Sequence, residues 1–464
     1  MTTITFEPPA STRKKSRAQV PTSLPSRPPR ALVGKLVLLV VGLGLGATIG
    51  SALTAETKSQ LVAPGGVNIF IGNLTGLVGM YLALVMLLLV SRLPIVERIV
   101  GFDGLLHFHR RLGPWPIGLL VAHALFITIG YAQSAKSGLF HELNVMVTSY
   151  PYMIIATVAL VIMVIIGISS IRFIRSRLRR EVWWSIHLYM YLALALSFAH
   201  VIALGPSFVG HPLARILWSF IWLATAGLVL VFRVGLPVFR TLRHGLRVVE
   251  IRRESPGITS VICSGRHLER LRVSGGQFFE WRFLTPKMWW QAHPYSLSAV
   301  PRPPYLRLTV KHVGDHSSSL VNLRPGTRVA IEGPYGAFTP HALRSGKAVL
   351  IAGGIGITAM RSLLEDLSKT AKPIVVVRAT QGEDVVFRDE LVSLAKHRRG
   401  SFHEFVGPRD QVRFDETTLR NLVPDLTQRD VYLCGPKGFV HDVGRMLREI
   451  GISPERIHHE AFSL

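Results

Sequence analysis

The chain has 464 residues, 48% of them hydrophobic, and a formal net charge of +25. That length allows two or three domains, and the apolar share is high for a soluble protein. Its two cysteines, Cys263 and Cys434, lie far apart and form no CxxC pair, which argues against a disulfide scaffold or a zinc site and fits a reducing compartment.

Residues 1–30 carry Lys14, Lys15, Arg17, Arg27 and Arg30 among Ser, Thr and Pro with no periodicity, and read as a disordered, basic cytoplasmic tail. The apolar run from Ala31 is too long for a signal-peptide core and reads as an anchor that stays. Apolar runs of spanning length then recur at about 31–54, 68–91, 112–131, 151–171, 184–204 and 212–232, each near the ~20 residues that cross the hydrocarbon core. A six-helix transmembrane domain is therefore expected over 31–240.

Basic residues fall on one side of these spans: Arg92 and Arg98, then Arg172, Arg175, Arg177, Arg179 and Arg180, then Arg233, Arg240 and Arg243. The opposite loops carry little more than Lys58 and Lys136. Both termini are thus expected in the cytoplasm of a multi-pass plasma-membrane protein. Much of the positive charge is then topology and attraction to anionic lipid, and no nucleic-acid partner is expected.

After residue 244 the texture changes. "LRVVEIRR", "GITSVICSG", "YLRLTVKHV" and "TRVAIEGPYG" are short β-branched runs broken by Gly and Pro, which predict an antiparallel β-barrel domain over 244–342. From 345 to 464 the order strand, Gly-rich turn, helix, strand predicts a parallel α/β domain.

Four histidines stand inside the apolar half. His109 and His123 are fourteen residues apart on the third span, and His187 and His200 thirteen apart on the fifth. Both spans run outward, so His109 and His187 share an inner depth and His123 and His200 an outer one. Each pair on a helix is separated by about 20 Å along its axis. Neutral imidazole is a good iron ligand, and coordination offsets the cost of burying a polar ring. The arrangement suits two stacked b-type haems; the alternative is ordinary polar bonding across helices. One tension stands: thirteen residues leave His187 and His200 about 140° apart around a regular helix, which predicts a distorted fifth helix or rotated or offset haems. His107 competes with His109, and Pro114 and Pro116 disturb the geometry there.

"FHR" with His123 fourteen residues on, and "EVWWSIH" with His200 thirteen on, resemble the two-haem transmembrane core of the NADPH oxidase and ferric reductase superfamily. The resemblance implies that His109 pairs with His187 and His123 with His200, and it sets Arg110 and Arg111 beside the inner haem's propionates.

The second half continues the resemblance. "HPYSLSAVP" alternates ring and hydroxyl as a flavin-stacking strand can, and it is similar to the flavin motif of ferredoxin–NADP reductases. That implies FAD contacts from His293, Pro294, Tyr295 and Ser296. In "KHVGDHSSSL" the same family binds the FAD pyrophosphate, which implies Lys311, Gly314, Ser317 and Ser318. "AGGIGITAM" follows an apolar strand and opens a helix; Gly354, Gly356 and Ala359 satisfy G-x-G-x-x-(G/A). It resembles the family's nicotinamide-nucleotide loop, made here by Gly353, Gly354, Gly356 and Thr358, with Ala359 where the family usually has proline. The next strand ends in Arg378 and not in an acid. That favours NADPH over NADH, with Arg388 assisting. "YLCGPKGF" resembles the loop beside the nicotinamide and implies Cys434, Gly435 and Pro436, the cysteine as a small polarisable group beside the hydride path. Near the end, Phe462 corresponds to the aromatic ring that covers the flavin.

The resemblance covers nearly everything from residue 31 onward and implies electron transfer from cytoplasmic NADPH through FAD and two haems to an acceptor at the outer face. Oxygen-reducing members carry a further histidine one turn beyond the outer ligand on the third span, where this chain has Ile127, and an arginine near the outer end of the first helix, where "GATIGSALTAE" has none. The expected acceptor is therefore ferric iron or another metal chelate, with His141, Glu142 and His211 as candidate holders. The alternatives are oxygen, a quinone, or a partner protein at the outer face. A non-catalytic scaffold would have lost these motifs.

Overall fold

The computed structural model describes residue 4, residues 30–93, residue 96 and residues 102–462. The expected basic tail, apart from Ile4 and the start of the first helix at Arg30, lies outside them. The fold divides into two compact units, one ending at Val234 and the other running on from Gly235.

In the first unit the apolar runs become helices because only a helix satisfies every backbone group in hydrocarbon. They are α1 (Arg30–Thr54), α2 (Gly66–Val90), α3 (Phe102–Leu112), α4 (Pro114–Ala135), α5 (Leu139–Ser149), α6 (Met153–Ser169), α7 (Arg180–Leu204) and α8 (Pro212–Leu230). Five stretches of these helices are long and apolar enough to cross a membrane. A bent pair, α5 and α6, folded by 115°, makes a sixth if the two are taken as one span. Pro151 explains the bend: Tyr150 before it takes an extended backbone, φ −87° and ψ 142°, and ends α5. The fourth expected span is thus a 17-residue helix with an 11-residue helix folded in front of it.

The third span is longer than expected, because the segment before residue 112 is helical too. It divides at Gly113, where Pro114 and Pro116 lack donors. By contrast, α7 runs unbroken through both of its histidines. Gly113 keeps helical backbone angles, φ −51° and ψ −40°, so the third helix interrupts its hydrogen bonds without leaving the helical path, and the angular mismatch between the two histidine pairs is left to rotated or offset rings. After α8 one π-helical turn, Val231–Gly235, precedes Leu236–His244; Pro237 cannot donate back to Arg233, and the wider turn absorbs the lost bond.

Helices α2 and α4 approach along a glycine seam. A methyl at Gly72 would stand 2.6 Å from Ile127, one at Gly130 2.6 Å from Ile69, and one at Gly79 3.1 Å from Leu119. Small residues permit such close packing in lipid, where hydrophobicity itself gives no drive to associate. Leu84, Ala159, Met163, Ala193 and Leu194 fill the interior, while Leu38, Phe140, Leu213, Phe220 and Leu223 face outward.

In the second unit β1 (Arg247–Ser255), β2 (Ile258–Ser264) and β5 (Tyr305–Lys311) form one antiparallel sheet, and β4 (His293–Ser296), β3 (Phe278–Phe283) and β6 (Val329–Tyr335) another. The expected closed barrel is thus two small three-stranded sheets, joined by isolated bridges at Leu297–Leu308 and Arg247–Arg328. Strand β4 is only four residues long and contains Pro294, which has no amide donor to extend a ladder. Trp281, Phe279, Phe283, Leu306 and Leu308 are fully buried between the sheets. Beyond them β7 (Ala348–Gly353), β8 (Ile374–Ala379), β9 (Ser401–Val406), β10 (Asp430–Pro436) and β11 (Ile457–Phe462) make a parallel sheet in the order β11-β10-β7-β8-β9. Both its faces are covered, as parallel sheets require.

Candidate functional site

The membrane histidines meet in two pairs. His109 and His187 have ring centroids 6.0 Å apart at 74°, and His123 and His200 6.2 Å apart at 63°. One metal ion between two imidazole nitrogens, each at about 2 Å, would set ring centroids about 6 Å apart. Both pairs have that separation. The Nδ1 atoms of His187 and His200 are buried without a hydrogen-bond partner, a cost that suits a ring held by something other than hydrogen bonds. Along unbroken α7 the two levels lie about 20 Å apart. His107 is exposed and does not compete with His109; Arg110 and Arg111 are exposed as well. Trp183 stacks on His187 at 5.0 Å, with the Arg175 guanidinium 4.2 Å above the indole. The four residues fit two bis-imidazole haems.

At the loops beyond, Glu142 is buried and accepts from Ser137 at 2.7 Å, while His141 and His211 are exposed. Among the described residues no group of three or more His, Cys, Asp or Glu side chains could hold a metal ion, so these three are not assembled into a metal centre.

On β4, Trp281 Nε1 donates to the Tyr295 carbonyl at 2.9 Å and holds the strand against the core. Pro294 points outward, and Ser296 is buried with an unpartnered hydroxyl. That orphaned hydroxyl on a strand edge fits a flavin's polar rim. A residue not anticipated from the sequence sits here: His316. Its ring stacks on His293 with centroids 3.7 Å apart, its Nδ1 lies 3.0 Å from the Tyr295 hydroxyl, and its Nε2 is buried without a partner. Burial, and then His293, push the His316 imidazole down to about 3.

The other flavin candidates divide. Ser317 Oγ accepts from the amides of Val313 and Gly314 at 3.0 and 3.1 Å and so caps its own turn; Ser318 is exposed. Lys311 pairs with Asp384 at 2.6 Å.

The nucleotide candidates converge at the carboxyl edge of the parallel sheet, where ligands of open α/β folds bind. Gly354 takes φ +50°; a methyl at Gly356 would stand 2.4 Å from the Cys434 carbonyl, and one at Gly435 3.1 Å from Gly353. The β7 and β10 loops therefore touch only because these positions lack side chains. Thr358 Oγ1 donates to the Ile355 carbonyl at 2.9 Å. Cys434 is fully buried, and burial with Glu460 nearby raises its thiol well above the ordinary range, so it stands there as a thiol and not a thiolate nucleophile. Pro436 pairs with Phe462 in register, and the Phe462 ring packs against the core with Ile355 and Phe387. Arg378, the last residue but one of β8, donates to the Phe405 carbonyl at 3.2 Å. Arg388 pairs with Glu404 at 2.8 Å in an exposed bridge.

A buried ionic network, also not anticipated, ties the flavin-type sheets to the nucleotide-type helices. Arg307 donates to both oxygens of Glu390 at 2.9 Å and to the Ser298 carbonyl at 3.0 Å. Arg361 donates from Nε to Glu390 at 2.7 Å and also pairs with Glu365, which takes Arg302 at 2.5 Å. Burial alone would raise both carboxyls, but the arginines outweigh it and hold them below their ordinary range.

Apolar spans with two histidine pairs, joined in sequence to a flavin-type and a nucleotide-type fold, define a membrane protein with the domains of an NAD(P)H-dependent oxidoreductase. Known families agree. Residues 75–198 match the ferric reductase like transmembrane component, 261–339 an FAD-binding domain and 350–445 the oxidoreductase NAD-binding domain. Together they give the chain the domain architecture of the NADPH oxidase and ferric reductase superfamily. Among curated proteins it is 30% identical over 232 residues to a flavohemoprotein of Bacillus subtilis, covering 45% of this chain and 57% of the relative. It is 27% identical over 186 residues to a glycine betaine monooxygenase reductase subunit of Pseudomonas aeruginosa, covering 36% and 50%. The chain thus spans about half the length of the curated relatives it matches. Among solved structures, the FAD/NAD-binding domain of a nitric oxide dioxygenase from Vibrio cholerae aligns with 25% identity and a TM-score of 0.40, over 47% of this chain and 99% of that one.

Proposed function

We propose that the chain moves electrons from cytoplasmic NADPH to an acceptor at the outer face of the plasma membrane, with FAD and two b-type haems as resident carriers and ferric iron or another metal chelate as the acceptor. The observation that carries this reading is the pair of facing imidazoles at each of two depths. Flavin, when bound, takes electrons in twos and releases them singly, and haem carries one at a time.

This chain's own residues bind and orient. His109 with His187, and His123 with His200, hold the two irons. His293, Tyr295 and Ser296 face the flavin ring, and Pro294 keeps that strand short. Lys311, Gly314, Ser317 and Ser318 take its pyrophosphate, Lys311 by exchanging Asp384 for phosphate. Gly353, Gly354, Gly356, Thr358, Gly435 and Pro436 shape the nucleotide cradle, and Arg378 with Arg388 receives the 2′-phosphate. Cys434 lines the hydride path, and Phe462 covers the flavin face until nicotinamide arrives. The working domains are 31–240 for the haems, 244–342 for FAD and 345–464 for NADPH, behind a basic tail. The excess of Lys and Arg on one set of loops supports the cytoplasmic orientation. Ile127, where oxygen-reducing relatives carry histidine, supports a metal acceptor.

The test is an anaerobic dithionite-minus-air difference spectrum of purified protein with a pyridine haemochrome count. Two b haems per chain, reducible by NADPH plus FAD and reoxidised faster by ferric chelate than by oxygen, are expected. Faster reoxidation by oxygen would reverse the acceptor. Absence of haem from a folded, haem-supplemented preparation would overturn the whole reading.

A further inference from the structure

His123 differs from its partner across the outer level. Its Nδ1 lies 2.8 Å from the Gly72 carbonyl on α2, whereas the Nδ1 of His200 is buried without a partner. A carbonyl only accepts, so His123 Nδ1 must carry the proton, and in the neutral ring the lone pair then sits on Nε2. The contact exists because a glycine follows one turn later. A methyl at Gly76 would stand 2.5 Å from Nδ1, 2.9 Å from Cγ and 3.0 Å from Cε1 of the His123 ring. The ring therefore lies flat in the space a side chain would fill. In a helix the carbonyl of residue 72 is flanked by residue 76, so the same missing side chain opens it to a sideways donor. Glycine inside a helix is less favourable than alanine, and at Gly76 it leaves room for an imidazole. By contrast Gly118, on the same helix as His123, has nothing within 4 Å of a built methyl.

We propose that the Gly72–Gly76 turn of α2 is the positioning element of the outer iron site: the Gly72 carbonyl sets the His123 tautomer, and Gly76 provides the slot that aims its Nε2 toward His200. This rests on the haem assignment above. A donor bond from a ligand's second nitrogen fixes its orientation and raises its basicity, and losing such a bond typically costs about 10–100-fold in affinity for the bound metal.

Gly76→Ala, Gly118→Ala, His123→Ala and Gly76→Ala/His123→Ala are made in the full chain and read by haemochrome count and by midpoint potentials. NADPH-driven dye reduction monitors folding of the second unit. Gly76→Ala is expected to lose the outer haem, falling from two per chain to one, and Gly118→Ala to keep both. In the His123→Ala background, adding Gly76→Ala changes nothing further, because the ring it would strike is gone. Should Gly76→Ala fail to fold, the double variant is expected to be recovered with one haem. A Gly76→Ala protein with two haems at unchanged potentials overturns the proposal, as does a double variant that fails to fold or holds less haem than His123→Ala alone. A wild-type protein without haem overturns the underlying assignment instead.

Discussion

The two units bury polar groups by opposite means. In the membrane unit four imidazoles stand in facing pairs, three of them, His109, His187 and His200, with a buried Nδ1 that meets no hydrogen-bond partner. In the second unit Arg307 and Arg361, with side chains 1% and 0% exposed, are each matched to carboxylates at hydrogen-bond distance. Lipid gives a charge no partner and no water, so a neutral ring is the tolerable titratable group there. A water-surrounded domain can bury full charges, provided each is complemented. The unsatisfied imidazole nitrogens of the first unit fit the proposed haem sites, whereas the satisfied arginines of the second mark where its two halves are locked together.

The largest effect should come from the membrane pairs. His187→Ala and His200→Ala should each leave one haem per chain and the double variant none, while NADPH-driven dye reduction at the second unit persists. If haem content survives the double variant, these rings are ordinary interhelical polar residues and the contrast between the units disappears.

Next comes the ionic network. Arg361→Met leaves Glu390 and Glu365 short of a partner and should destabilise the second unit by about 3 kcal/mol, since breaking one side of a buried pair strands the other. A thermal melt followed by flavin fluorescence reads it. Little or no change would mean that water reaches the carboxylates.

Much of this was legible beforehand, and the limits have physical causes. Span length and hydropathy marked the helices, because lipid imposes a length. The sequence also carried the breaking residues Pro114, Pro151 and Pro237, but not which of them would bend a helix. Among the described residues only Pro151 makes a sharp bend, while α7 is unbroken and Gly113 keeps helical angles. The barrel expectation weighed β-branched runs and overlooked how Pro294 shortens an edge strand. His316 was missed because its partners lie on a strand about twenty residues away, and Arg307–Glu390 because 83 residues separate them; neither leaves a local pattern. Lys311 stands out through the resemblance of its segment to a pyrophosphate-binding one, and its ion pair with Asp384, 73 residues away, leaves no local pattern.

A smaller effect tests the stacked rings beside the flavin strand. His316 is pushed down to about 3 from the ordinary 6.5. Between those values the unfolded chain binds a proton that the folded one does not. Stability therefore rises with pH through that window and is lost as pH falls through it, with a slope of at most about 1.4 kcal/mol per pH unit. His316→Gln should flatten the acid limb of stability measured without added FAD. An unchanged limb would place the acid sensitivity elsewhere.

The smallest effect on stability, and the sharpest on selectivity, belongs to the two arginines at the nucleotide edge. The Arg388–Glu404 bridge is exposed on both sides, and such pairs contribute about 0.2–1 kcal/mol at most, so Arg388→Ala should barely move the melting temperature. Arg378 is held by backbone carbonyls at the end of β8, which fixes it without neutralising it. A guanidinium so held remains available to a phosphate. Arg378→Ala should raise KM for NADPH about tenfold, the loss of one charge-assisted contact, and leave KM for NADH unchanged; Arg388→Ala should do the same more weakly. Equal losses with both nucleotides would show that these arginines bind what the two cofactors share, and the preference for NADPH would then have to be sought outside the β8 edge.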